Sequence, residues 1–177
     1  MNIVETKLHG VIILETVVFK DDRGYFKETF QEQRYRELGI NPHFVQDNLS
    51  RSTKGVLRGL HYQSVLPQGK LVSCSRGVVF DVVADINPSS ITYGQYLGIE
   101  LSEDNHRQVW IPPGYAHGFC VLSDVADFQY KCTSYYDARD ESGVNWKDPE
   151  LGIDWPEERF LVSRKDQDLP FLSEINR

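Results

Sequence analysis

Short stretches that alternate apolar and polar residues run along most of this chain: 11–19, 25–30, 44–50, 56–63, 70–75, 78–86, 95–101, 108–111, 115–122 and 126–136. A period of two sends successive side chains to opposite faces of an extended strand, so each stretch predicts a strand. The turn clusters "DDRG", "TKG", "PQG", "NPSSITYG" and "PPG" punctuate the series. Many short strands at this spacing close a core as a sandwich or barrel, and a jelly roll is the economical all-β solution. Only "QEQRYRELG" (31–39) reads as a helix, with Gly39 as its stop. The last forty or so residues, rich in Asp, Trp and Pro, predict a loop-rich C-terminal tail. No repeat, low-complexity segment or linker interrupts the chain, so 1–177 reads as one domain.

Composition narrows the function. The most apolar stretch, 11–19, contains Glu15 and Thr16, which suits a strand and not a membrane span. "MNIVETKLHG" has no basic-then-apolar leader, so a cytoplasmic location is expected. The net charge of -7 argues against sequence-independent binding of a nucleic acid polymer, which needs an extended basic face. It leaves room for one small anionic ligand held by a few arginines. Cys74, Cys120 and Cys132 show no C-x-x-C spacing and are expected to be reduced, buried thiols.

The stretch "VLRGLHYQSVLPQGKLVSCSRG" (56–77) places His61 and Lys70 on two candidate strands. Histidines inside a small jelly roll suggest the cupin superfamily and its metal pattern. Gly55 and His61 fit the start of that pattern, and "PPGYAH" supplies its last histidine, His117. The second histidine position holds Gln63, and the glutamate position holds Lys70. An ammonium repels a cation and offers no lone pair, so a divalent metal is not expected. A proton-transfer site suits these residues better. It needs a base titrating near neutral pH, a cation where negative charge develops, and a carboxylate to orient the base.

The motifs "DDRGYFKETF" (21–30), "QDNLSRSTKGVLRGLHYQ" (46–63), "PQGKLV" (67–72), "IPPGYAHGF" (111–119), "YKCTSYYD" (130–137), "ESGVNWKDPELGIDWP" (141–156) and "SRKDQDLP" (163–170) resemble the dTDP-4-dehydrorhamnose 3,5-epimerase family. The resemblance covers nearly the whole chain in order. It implies a cupin jelly roll, a homodimer that exchanges N-terminal strands, and neither metal nor organic cofactor. The implied substrate is a nucleotide sugar, dTDP-4-dehydro-6-deoxy-D-glucose, inverted at C3 and C5 on the way to dTDP-L-rhamnose.

Protons beside a C4 ketone are acidic because the carbanion spreads onto oxygen as an enolate. Inversion therefore calls for acid/base groups on opposite faces and a cation at the enolate oxygen. The resemblance makes His61 the base, Asp166 its orienting partner, Lys70 the cation and Tyr130 the opposing acid. Asp81 and Asp85 are rival partners for His61 that spacing does not separate. The resemblance places His117 near the sugar, Arg23 and Arg58 near the diphosphate or nucleotide, and Glu28, Gln46, Asn48, Glu141 and Lys165 at other substrate contacts. Arg51 has no such match and is expected on the surface.

Period two puts Tyr130 and Tyr136 on one face of one strand, roughly 20 Å apart if it is straight. Tyr136 could then stack on the thymine while Tyr130 works at the sugar. Arg58 and His61, three apart, should point to opposite faces unless a bulge, for instance at Gly59, intervenes. Competing readings are an epimerase acting at C3 or C5 alone, a metal-dependent cupin, and a non-catalytic sugar-nucleotide-binding cupin.

Overall fold

The computed structural model describes residues 1–40 and 43–175. The last two residues of the expected tail, 176–177, lie outside the described residues. In chain order the elements are β1 (Asn2–Glu5), β2 (Ile12–Glu15), β3 (Val18–Asp21), β4 (Gly24–Lys27), α1 (Glu32–Glu37), β5 (Gln46–Thr53), β6 (Val56–Gln63), β7 (Lys70–Arg76) and β8 (Val78–Asp85). They continue as β9 (Tyr96–Ser102), β10 (Arg107–Ile111), β11 (Tyr115–Val121), β12 (Val125–Cys132), β13 (Glu141–Gly143), β14 (Leu161–Val162), α2 (Arg164–Gln167) and α3 (Leu172–Ile175).

Two sheets face each other. One runs β1-β2-β10-β7-β12-β5, and the other runs β13-β6-β11-β8-β9 with β14 added parallel to β6. The opposed quartets β5-β12-β7-β10 and β6-β11-β8-β9 give the jelly-roll order, so the expected all-β cupin fold is the one found. Between the sheets lies a core that includes Val72, Val83, Leu101, Val109, Val121 and Phe128. The outer face of the second sheet is also covered: Leu60, Val82 and Ala116 pack under Val144, Leu151 and Leu172 of the tail. Strand β8, covered on both faces, accordingly carries the apolar run "VVFDVVAD". On the first sheet, α1 sets Tyr35 over Leu14, Leu71 and Trp110.

Several local expectations change. The stretch 11–19 is two strands, β2 and β3, joined at Thr16 and Val17. Residues 2–5 form an extra edge strand on β2. The stretch 126–136 ends as a strand at Cys132, so Tyr136 does not share a strand face with Tyr130. Tyr136 lies in the loop that leads to β13, and the period-two argument linking the two tyrosines does not hold. The tail is loop-rich but also contributes β13, β14, α2 and α3. The helix begins as expected, with the Gln31 side chain accepting from the Arg34 N–H, and Gly39 follows it at φ +83°.

A register slip on β6 fixes the geometry of the site. His117 pairs with His61, yet Phe119 pairs with Arg58, so three steps on β6 oppose two on β11. This bulge falls at Gly59, where φ is +111°. A Cβ there would meet Gly118 Cα and His117 O, each at 2.7 Å. Only glycine supplies both the dihedral and the close backbone approach. Gly59→Ala should therefore cost at least about 2 kcal/mol, from the left-handed backbone plus overpacking. Gly39→Ala meets nothing within 4 Å and should cost about 1 kcal/mol, from backbone alone. Urea midpoints of the two variants check the difference.

Candidate active site

Because of the bulge, Arg58 and His61 both reach one cavity of about 690 Å³ that opens between the sheets. The bulge that parity required is present at the expected glycine. The cavity gathers eleven residues singled out from the sequence: Gln46, Asn48, Arg58, His61, Lys70, His117, Tyr130, Tyr136, Glu141, Lys165 and Asp166. His61 and His117 come from the second sheet, whereas Lys70 and Tyr130 come from β7 and β12 of the first. The two groups of side chains therefore stand on facing walls.

The tail reaches back to orient His61. Ser163 caps α2 and accepts from the Asp166 N–H, which sets the Asp166 carboxylate against β6. Its Oδ1 lies 2.7 Å from His61 Nε2, and its Oδ2 accepts from the Gly59 N–H at 3.3 Å. Burial pushes this carboxyl up, but the bonds from His61, Gly59 and Ser163 outweigh burial and hold it below the ordinary value. An ionised carboxylate only accepts, so Nε2 carries a proton, and in the neutral ring Nδ1 is the bare nitrogen. The rival carboxylates are engaged elsewhere. Asp81 Oδ2 lies 2.7 Å from His117 Nε2, and Asp85 accepts from the hydroxyls of Ser90 and Thr92.

The Lys70 ammonium has no hydrogen-bond or ion-pair partner among the described residues, although its main chain pairs within the sheet. Its pKa is pulled down by burial, which the surroundings of Cys132, Asp81 and Glu141 only partly offset. The Tyr130 phenol is pushed up, chiefly by burial. Beside His61, Glu141 Oε2 accepts from Lys165 Nζ at 2.5 Å and from the Tyr136 hydroxyl. Its Oε1 lies 4.0 Å from His61 Nδ1. Burial pushes Glu141 up, but Lys165, Tyr136 and His61 together leave it below the ordinary value. The Arg58 guanidinium donates to Ser52 Oγ at 3.2 and 3.0 Å and keeps further donors free for a ligand.

Two expected residues are not in the cavity of their own chain. Arg23 sits in the β3–β4 turn, 90% exposed, paired with Asp21 at 2.6 Å. Glu28 pairs with Arg34 at 2.9 Å. Neither side chain lines the cavity it was expected to line. Arg51 lies at the surface as expected, in a two-pronged pair with Asp127. Ser50, Gln63 and Gln68 also line the cavity. Sequence reasoning did not single them out as site residues, although Gln63 was conspicuous as a break in the cupin metal pattern. Among the described residues, no group of three or more His, Cys, Asp or Glu is arranged to hold a metal ion. No helix among them is long and apolar enough to cross a membrane.

The family model described as dTDP-4-dehydrorhamnose 3,5-epimerase matches residues 5–174. The chain is 50% identical over 180 residues to the dTDP-4-dehydrorhamnose 3,5-epimerase of Escherichia coli (strain K12), covering 100% of this chain and 97% of that one. It is 44% identical over 156 residues to a dTDP-4-dehydrorhamnose 3-epimerase of Streptomyces niveus, covering 87% of this chain and 75% of that one. Among solved structures, the dTDP-6-deoxy-D-glucose-3,5-epimerase of Legionella pneumophila Philadelphia 1, in complex with dTDP-4-keto-L-rhamnose, superposes with a TM-score of 0.96. That pair is 53% identical, covering 99% of this chain and 94% of the other. A match that spans almost every residue, on the same fold, means that this chain belongs to the dTDP-4-dehydrorhamnose 3,5-epimerase family.

Proposed function

We propose that the protein is an isomerase that converts dTDP-4-dehydro-6-deoxy-D-glucose to dTDP-4-dehydro-L-rhamnose by inverting C3 and C5. The observation that carries this reading is the pairing of an oriented imidazole on one wall with a phenol and an ammonium on the facing wall. His61 Nδ1 takes the proton from the carbon beside the ketone. The C–H electron pair moves to the C4 oxygen, and the enolate forms against the Lys70 ammonium. Tyr130 then returns a proton to the opposite face, the electrons fall back to carbon, and solvent resets both groups. Repetition at the second carbon on the other side of the ketone completes the double inversion.

Asp166 holds the Nε2–H tautomer and stabilises the imidazolium that forms. Lys70, partly buried in the cavity wall, acts on the developing oxyanion more strongly than a fully solvated lysine would. His117, fixed by Asp81, supports the sugar. Arg58 takes the diphosphate, to whose oxygens a guanidinium fork is matched. Tyr136 seats the thymine, with Gln46 and Asn48 alongside, and Glu141 and Lys165 contact the ligand between Tyr136 and His61. This assignment places the thymine on Tyr136 without requiring it to share a strand with Tyr130.

The β3–β4 hairpin supports a homodimer. It exposes Phe19, Tyr25 and Phe26 at 62%, 52% and 69%, an apolar surface that a second copy would cover. In such a dimer Arg23 and Glu28 of one protomer would serve the cavity of the other. The three free, buried cysteines suit the reducing cytoplasm.

Turnover in deuterium oxide, followed by a coupled reductase to trap product, tests the reaction. Label should enter at both C3 and C5; label at one position alone would mark a single-site epimerase. Tyr130→Phe and His61→Ala should each slow product formation by about 10²–10⁴-fold, the usual contribution of a positioned acid or base. The pH profile separates Lys70 from Tyr130. Both must stay protonated, and burial moves them in opposite directions, Lys70 down and Tyr130 up. The alkaline limb of kcat/KM therefore belongs to Lys70 and falls below the ordinary lysine value of 10.5. Lys70→Arg, which stays charged, should move that limb to higher pH at a lower maximal rate.

A further inference from the structure

We infer that Gln63 is a positioning residue for the nucleoside end of the ligand, because its side chain straps the segment that presents Tyr136 and Glu141 to the cavity. The inference rests on the nucleotide-sugar reading given above. Gln63 closes β6 and is 4% exposed. Its Nε2 donates to Leu66 O at 2.9 Å and to Tyr135 O at 3.3 Å, and its Oε1 accepts from the Asp137 N–H at 3.0 Å. The residues on either side of Tyr136 are thus fastened to one buried amide. Gln46 Oε1 accepts from the Tyr136 N–H itself at 2.9 Å, and the Gln63 main chain pairs with Glu141.

The Tyr136 ring needs this fastening. It is 51% exposed, and its hydroxyl bond to Glu141 is its only side-chain hydrogen bond among the described residues. Packing does not fix its direction, so the backbone must. The strap also explains why this position is a carboxamide. It must donate twice and accept once, and neither a carboxylate nor an imidazole can do so. The position that carries a histidine in the cupin metal pattern is here given over to holding the base-binding loop.

The test uses the full chain and four proteins: wild type, Gln63→Met, Tyr136→Ala and the double variant. Methionine keeps the volume and removes every hydrogen bond. Steady-state kinetics on the nucleotide sugar and calorimetry with dTDP and with inorganic pyrophosphate are the readouts. Gln63→Met should raise KM and the dTDP Kd by about tenfold, the scale of one base–aromatic stack. It should leave kcat within about threefold and pyrophosphate affinity unchanged. In the Tyr136→Ala background it should add nothing. Equal weakening of dTDP and pyrophosphate, parallel loss through kcat, or additivity with Tyr136→Ala would overturn the inference. Should Gln63→Met fail to fold, Gln63→Glu, which keeps the acceptor and loses both donors, carries the same expectations. A wild type that neither binds dTDP nor turns over the 4-keto sugar would sink the functional reading instead.

Discussion

The hydrogen bond between His61 and Asp166 joins residues 105 positions apart and ties the tail to the barrel wall. Without it the imidazole could rotate or change tautomer, and neither nitrogen would be committed to substrate. Its existence depends on three local features. Ser163 starts the short helix that aims Asp166 inward. The Gly59 bulge brings a backbone N–H to the second carboxylate oxygen. The tail packs over Leu60 and Val82, so the helix stays seated on the sheet. Fold and chemistry are coupled here: the layer that buries the second sheet is also the layer that delivers the carboxylate.

The jelly roll solves the stereochemical problem by architecture. A base and an acid must act on opposite faces of one sugar ring, and two facing sheets supply two walls. Burial then tunes the groups in opposite senses. It lowers Lys70 toward neutrality and raises the Tyr130 phenol. In the proposed mechanism the ammonium stabilises negative charge and the phenol donates a proton. Asp81 anchors the second histidine separately, so the two imidazoles do not compete for one carboxylate.

The chain announced much of this before any coordinates. Strands β6 to β12 alternate cleanly or are bounded by strong turns, because each has at least one face against the core. The residues facing the cavity were legible because polar types on core strands are conspicuous: His61, Lys70 and His117 have no business there unless they act on something. Three features were hidden for physical reasons. Tyr136 carries on the alternation of β12, yet the sheet ends at Cys132, and hydrogen-bonded pairing is invisible to periodicity. The parity of Arg58 and His61 depends on a bulge, a two-strand property that one strand's pattern cannot reveal. Arg23 sits in the β3–β4 turn and Glu28 just after β4, each paired with a neighbour and away from the cavity of its own chain, which residue type alone could not reveal.

Nitrogen-15 NMR of the His61 imidazole, in the wild type and in Asp166→Asn, measures the central claim directly. At a pH where the ring is neutral, the wild type should show a protonated Nε2 and a bare Nδ1, and Asp166→Asn should lose that preference. A wild-type ring protonated at Nδ1 would leave no basic atom facing the cavity and would contradict the account.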